Sequence, residues 1–133
     1  MAVLRPLNDE EVSAEALAIF TEIRAARQTE FINNFWRVLA HDPALLRATW
    51  DRLAAVMGPG NLDPMVKEMI YLAVSAANGC SYCVHSHTAA AKAKGMTEAQ
   101  HGELLSVIAM ASQTNALANA LQIPVDERFQ AGA

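Results

Sequence analysis

The stretch NGCSYCVHSHTAAAKAKG, residues 78–95, contains both cysteines of the chain and two of its four histidines. Asn78 and Gly79 are typical of a left-handed cap that ends a helix, and Gly95 provides a second stop. The alanines and lysines between these stops favour helix. We therefore expect a helix over about 81–94, with the Cys-x-x-Cys pair at its N-terminus.

Start and stop signals divide the rest of the chain into further helices. Apolar residues recur at spacings of three and four, and no segment alternates strictly as a half-buried strand would. Asp-Pro pairs at 42–43 and 63–64 predict two helix starts, with aspartate as the cap and proline as the first residue. Thr97 and Gln100 have the spacing of a capping box before the last helix. The predicted helices, about six in all, cover approximately residues 11–27, 31–40, 43–57, 64–77, 81–94 and 97–121.

Length favours one helical domain. The chain has 133 residues, the size of an ordinary single domain. The sequence shows no internal repeat and no low-complexity linker. The predicted fold class is therefore all-α, with a single domain over residues 1–133.

Charge and hydropathy exclude several classes of partner. Lys and Arg number 10 against 14 Asp and Glu, without a basic run, so neither nucleic acid nor an anionic membrane is expected as a partner. The longest mostly apolar run, MIYLAVSAA, is far shorter than the roughly 20 residues of a membrane span. The N-terminal residues lack the apolar segment of a signal peptide, so we expect a cytoplasmic protein. In that reducing compartment a Cys-x-x-Cys pair is more often catalytic or metal-binding than a structural disulfide.

The cysteine pair and one histidine share a face of the predicted helix. Cys80, Cys83 and His87 have the spacing i, i+3 and i+7, which confines them to an arc of about 60°. Free backbone N–H groups and the helix dipole at an N-terminus stabilise a thiolate. His87 follows Cys83 by four residues, so it can accept the thiol proton. In such a pair one cysteine can attack an oxidant or a disulfide and the other can resolve the product.

Other interpretations of these residues stay open at this level. Glu68, twelve residues before Cys80, can approach the cysteine face if the two helices pack together, or it can be a solvated surface residue. A structural zinc site needs four ligands, and only Glu68 or His101 remains to complete the set, so no metal is expected. Small buried structural cysteines are the remaining alternative. His85 points away from Cys80 and is expected to face solvent or an interface.

The segment EMIYLAVSAANGCSYCVHSHTAAAKAKGMTEAQ, residues 68–100, resembles the AhpD-like, peroxidase-related branch of the carboxymuconolactone decarboxylase family. The pattern is a glutamate, eleven residues, Cys-x-x-Cys, three residues and a histidine. Upstream, NNFWRVLAHDPALLRA and LDPMVKEM are similar to the preceding helices of the family. The resemblance covers about two thirds of the chain, with a family core at about 35–121.

This resemblance implies a fold, a function and site residues. It implies an all-helical protein that forms trimers or hexamers and acts as a thiol-dependent peroxidase, similar to an alkyl hydroperoxide reductase. Cys80 and Cys83 would be the redox pair, with Cys83 reacting with peroxide, and Glu68 and His87 would form a proton relay. The substrate would be a hydroperoxide and the reductant a dithiol or a lipoyl-type group, with no cofactor. Aromatic and Met positions in NNFWRVLA and VIAMAS are expected to be exposed, which agrees with a homo-oligomer.

One departure and two alternatives accompany the resemblance. The best-known members carry a histidine immediately before the second cysteine, where this chain has Tyr82. A phenol holds its proton at neutral pH, so Tyr82 is expected to modulate the site, with a shorter relay or slower turnover. The first alternative is a disulfide or lipoyl reductase that serves another peroxidase. The second is a non-redox, decarboxylase-like enzyme, which is disfavoured because the decarboxylases of the family generally lack the cysteine pair.

Overall fold

The computed structural model describes residues 3–130, and all regular elements among them are helices. This confirms the prediction of an all-α protein with about six helices. The elements are α1 (Ala14–Arg27), α2 (Asn34–Leu39), α3 (Pro43–Met57), α4 (Pro64–Ala77), α5 (Ser81–Ala93) and α6 (Glu98–Leu121), followed by a short 3-10 turn (Glu127–Phe129). They form two compact units, the first ending at Pro59 and the second beginning at Gly60. The single domain over residues 1–133 stays a prediction.

Four of the predicted helix boundaries are set by the expected caps. Asp42 accepts hydrogen bonds from the first turn of α3, and Asp63 does so for α4. Thr97 and Gln100 form the reciprocal capping box of α6. Gly79 follows the end of α4 with a left-handed φ of 68°, which glycine adopts at no steric cost.

The first two helices begin later than predicted. The sequence prediction placed the start of α1 near Glu11, but the helix begins at Ala14 because the Ser13 hydroxyl accepts a hydrogen bond from the Ala16 amide at 3.1 Å. The second helix begins at Asn34 rather than at Phe31. Residues 29–33 form the connection instead.

Helices α1, α2 and α3 surround the apolar core of the first unit. Its largest members include Phe20, Trp36 and Trp50, and the two tryptophan rings meet edge to face with centroids 5.6 Å apart. Trp36 is 2% exposed, so the expectation of exposed aromatic residues in NNFWRVLA is wrong for this side chain. Phe35, its neighbour, is exposed as expected.

The second unit consists of α4, α5 and α6, and two of its buried side chains are polar. Its buried residues are Glu68, Leu72, Ser75, Ala91 and Met96. A buried carboxylate is rare unless it is paired, so the α4–α5 hairpin is where a functional site is expected.

Helix α6 has no buried residue along its 24-residue length. By length and composition alone this helix would suffice to cross a membrane. The sequence did not predict this, because Ser, Gln, Thr and Asn divide its apolar residues into short runs. Helices that pack against other helices share this composition, so the feature does not identify a membrane protein. An apolar stripe runs along α6, with heptad-like spacing and all members more than half exposed. It consists of Val107, Met110, Leu117 and Leu121.

Candidate active site

The site is built around the tight turn between α4 and α5. Gly79 reverses the chain, and the Cys80 amide then donates to the Ser75 carbonyl at 2.9 Å. Cys80 is the N-cap of α5, and its sulfur accepts a hydrogen bond from the Cys83 amide at 3.4 Å. The turn therefore holds the Cys-x-x-Cys pair against the last turn of α4.

The two thiols have opposite electrostatic environments. Hydrogen bonds from the Cys83 side chain and then from its amide lower the pKa of the Cys80 thiol below its ordinary value. Burial raises the pKa of the Cys83 thiol to about 11, and Cys80 contributes in the same direction, although a hydrogen bond with the Ser75 hydroxyl opposes the rise. Cys80 is thus the thiol that ionises more readily. This preference runs against the sequence-based assignment of Cys83 as the peroxide-reactive thiol.

Glu68 and His87 meet across the contact between α4 and α5. Oε2 of Glu68 lies 2.7 Å from Nδ1 of His87, and Glu68 is 5% exposed. The alternative of a solvated Glu68 is therefore wrong. A carboxylate only accepts hydrogen bonds, so Nδ1 of His87 donates the proton and Nε2 is the nitrogen left to act as a base.

Lys94 is a second partner of Glu68 that the sequence interpretation missed. Its Nζ lies 2.9 Å from Oε1 of Glu68. Burial raises the pKa of Glu68, but the hydrogen bonds from His87 and Lys94 outweigh burial and leave the pKa below its ordinary value. Glu68 is therefore a carboxylate at neutral pH. The overlooked signal was the seven-residue spacing from His87 to Lys94, which puts both residues on one helical face.

Tyr71 packs against the histidine and was also missed by the sequence interpretation. Its ring stacks on the imidazole of His87, with centroids 3.6 Å apart and planes inclined by 19°. Burial raises the pKa of Tyr71, and Cys83, Cys80 and Glu68 raise it further in their ionised forms, so its hydroxyl keeps its proton. The sequence signal was the position of Tyr71 three residues after Glu68, on the same face of α4.

Ser75 completes the α4 side of the site. Its buried hydroxyl donates to the Tyr71 carbonyl at 2.7 Å and also interacts with the Cys83 thiol. Rotation of the hydroxyl can direct its single proton to one acceptor or the other. Ser75 can therefore stabilise negative charge on the Cys83 sulfur.

The remaining predicted residues lie at the periphery. Tyr82 is 43% exposed on the first turn of α5, and His85 is exposed as predicted. Among residues 3–130, no group of three or more His, Cys, Asp and Glu side chains is arranged to hold a metal ion.

The chain is similar to known proteins in sequence and in fold. A profile of the carboxymuconolactone decarboxylase family matches residues 43–126, a range that includes α3 to α6. The crystal structure of the alkylhydroperoxidase AhpD core from Rhodospirillum rubrum is 61% identical, with a TM-score of 0.94 over 97% of both chains. Alkyl hydroperoxide reductase AhpD from Solibacter usitatus is 41% identical over 64 residues, which are 48% of this chain and 34% of that protein. The match thus spans about a third of the length of this curated relative.

Proposed function

The chain belongs to the AhpD-like branch of the carboxymuconolactone decarboxylase family, and from this membership we propose that it is a thiol-dependent peroxidase. Cys80 and Cys83 would be its redox pair and Glu68 and His87 its proton relay. The observation that carries the proposal is the hydrogen bond between the buried carboxylate of Glu68 and the partly buried imidazole of His87. Packing alone does not require an ionised carboxylate there, whereas proton transfer does.

In the first step, the Cys80 thiolate attacks one oxygen of the hydroperoxide. An S–O bond forms and the O–O bond breaks, so Cys80 is oxidised to a sulfenic acid and the peroxide is reduced to an alkoxide. The alkoxide takes up a proton and leaves as an alcohol. Support for Cys80 as the attacking sulfur comes from the hydrogen bond that this sulfur accepts from the Cys83 amide at the start of α5.

In the second step, the Cys83 sulfur attacks the sulfenic sulfur of Cys80. An S–S bond forms, the S–O bond breaks, and the hydroxyl group leaves as water with the proton that Cys83 gives up. The raised pKa of Cys83, which follows from burial, means that this thiol needs a base. His87 lies one helical turn further on, and its Nε2 would serve as that base while Glu68 holds Nδ1.

A dithiol or lipoyl-type reductant would return Cys80 and Cys83 to their reduced thiols. We expect this to take place in the cytoplasm. The first alternative, a disulfide or lipoyl reductase that serves another peroxidase, would use the same pair without meeting peroxide.

The decisive assay follows the consumption of an organic hydroperoxide in the presence of dihydrolipoamide. We expect sustained consumption by the unchanged protein, no consumption by Cys80→Ser, and no turnover beyond the first equivalent by Cys83→Ser. Rapid exchange with a disulfide but no peroxide consumption would instead support the reductase.

We also propose that the chain forms a homo-oligomer, a trimer or a hexamer. The support is the exposed apolar stripe on α6, together with exposed Val66, Ile70 and Val74 at four-residue spacing on α4. Exposed apolar surface of this extent is costly in water, and a second copy of the chain would cover it.

A further inference from the structure

The Glu68 carboxylate has a separate cationic or polar partner on each oxygen. Oε2 receives Nδ1 of His87 at 2.7 Å, and Oε1 receives Nζ of Lys94 at 2.9 Å. The Glu68 side chain is 6% exposed, whereas the Lys94 side chain is 39% exposed. The carboxylate therefore bridges a partly buried imidazole and a more exposed ammonium group.

The position of Lys94 is fixed by the end of α5. Lys94 is the C-cap residue, and its amide donates to carbonyls of the last turn. Gly95, with φ of 102°, then turns the chain away from the helix axis. The lysine thus leaves the helix from a defined backbone position on the face that also carries His87.

We propose that Lys94 is a positioning residue of the redox site, which holds the Glu68 carboxylate charged and oriented toward His87. This inference rests on the proposed function, because the orientation of the imidazole matters only if His87 moves protons. Burial by itself favours the neutral form of Glu68. Without Lys94 the carboxylate would retain one hydrogen-bond partner, and its second oxygen would be free to rotate or to take up a proton.

The groups around Glu68 leave Lys94 as its fixed cation. On α5, His87 and Lys94 form hydrogen bonds with the Glu68 carboxylate. On α4, the carboxylate raises the pKa of Tyr71. Cys80 and Cys83, when ionised, also raise the pKa of Tyr71. On α6, Glu98 accepts a hydrogen bond from Nζ of Lys92 at 2.8 Å, and His101 contributes to lowering the pKa of Glu98. Glu103, also on α6, is exposed. Within the described residues, the ammonium group on Glu68 is that of Lys94.

Lys92 provides a matched control in the same helix. It also pairs with a glutamate, but that pair is exposed. Lys94→Met removes the cation from the site and keeps most of the length of the side chain. Lys94→Arg retains the charge, and Lys92→Met removes an equivalent charge elsewhere. A structural role alone would not separate these three variants in a titration.

The test is a ¹³C NMR titration of the Glu68 carboxyl group in the reduced protein, combined with the rate of hydroperoxide reaction between pH 4.5 and 8. We expect the Glu68 titration to move up by about one pH unit in Lys94→Met, since an opposite charge at this distance lowers a carboxyl pKa by about that amount or more. The reaction rate of this variant should be lower than that of the unchanged protein at the acidic end of this range and should differ from it by less than about twofold at pH 8. Lys94→Arg and Lys92→Met should match the unchanged protein.

Two results would overturn the inference. One is a Glu68 titration in Lys94→Met that superimposes on that of the unchanged protein. The other is a shifted titration with an unshifted rate profile. If the unchanged protein does not react with hydroperoxide at any pH, the proposed function fails and takes the positioning role with it, while the titration still reports whether Lys94 sets the charge of Glu68.

Discussion

Nδ1 of His87 donates to the Glu68 carboxylate at 2.7 Å, and this contact joins α4 to α5 beneath the cysteine turn. The hydrogen bond fixes the ring through one nitrogen and leaves the other for proton transfer. The ring of Tyr71 stacks on the face of the imidazole and restrains it by packing. The imidazole is thus held both by a charge and by a packing contact.

The order of attack by the two thiols is the first prediction. Because Cys80 ionises more readily than Cys83, we expect a sulfenic acid to form on Cys80. A dimedone trap should label Cys83→Ser after one equivalent of hydroperoxide, and Cys80→Ser should give little or no label. Mass spectrometry of the labelled peptide identifies the sulfur. The reverse pattern would restore the assignment of Cys83 as the attacking thiol.

Glu68 is expected to make stability depend on pH. Burial raises its pKa, but His87 and Lys94 together lower the pKa below its ordinary value of 4.5, so the charged form is stabilised in the folded state. That stability is complete above the ordinary pKa and is lost as the pH falls through the lowered one. The unchanged protein should therefore exceed Glu68→Gln in thermal stability at pH 7, and the difference should shrink below about pH 4.5.

The matched comparison for this prediction is Glu98→Gln. Glu98 is also paired with a lysine, but it lies on the surface, where a single ion pair contributes little. Equal pH dependence in the two variants would contradict the special role of the buried carboxylate.

Gly79 is expected to be needed for the turn that positions the thiols. Its φ of 68° costs about 1 kcal/mol for a residue with a Cβ atom, although no neighbouring atom would clash with that Cβ. Gly79→Ala should lower the free energy of unfolding by about that amount in urea denaturation. Gly102→Ala is the control, because Gly102 lies within α6 with open space around it and alanine should stabilise that helix. Equal effects of both substitutions would argue against strain at Gly79.

The apolar stripe of α6 is expected to lie in a contact between copies of the chain. Light scattering should give a mass of three or six chains for the unchanged protein. Met110→Lys, in the centre of the stripe, should shift the mass toward the monomer, since a desolvated unpaired charge is costly. Ser112→Lys, on the opposite face of the helix, should leave the mass unchanged. A monomeric unchanged protein would contradict the proposed assembly.

Local signals predicted the helices well because caps act within one turn of the chain. Asp42, Asp63 and the Thr97–Gln100 pair mark helix starts in the sequence, and each makes the expected hydrogen bonds. The start of α1 was placed too early because acidic residues before Ser13 are good helix formers, and only the serine hydroxyl shows where the first turn closes.

The site was predicted less completely because it depends on contacts between helices. The face shared by Cys80, Cys83 and His87 follows from helix geometry within a single element. Whether Glu68 reaches that face depends on how α4 packs against α5, which spacing leaves open. Lys94 and Tyr71 were missed for the same reason, since each acquires its role through a residue on the other helix.

The most direct test of the central claim is a count of free thiols in the reduced protein before and after one equivalent of an organic hydroperoxide. The peroxidase mechanism predicts that both thiols are lost together within minutes and that a dithiol reductant restores both. Retention of both thiols, in a protein that still exchanges with disulfides, would contradict direct peroxide chemistry.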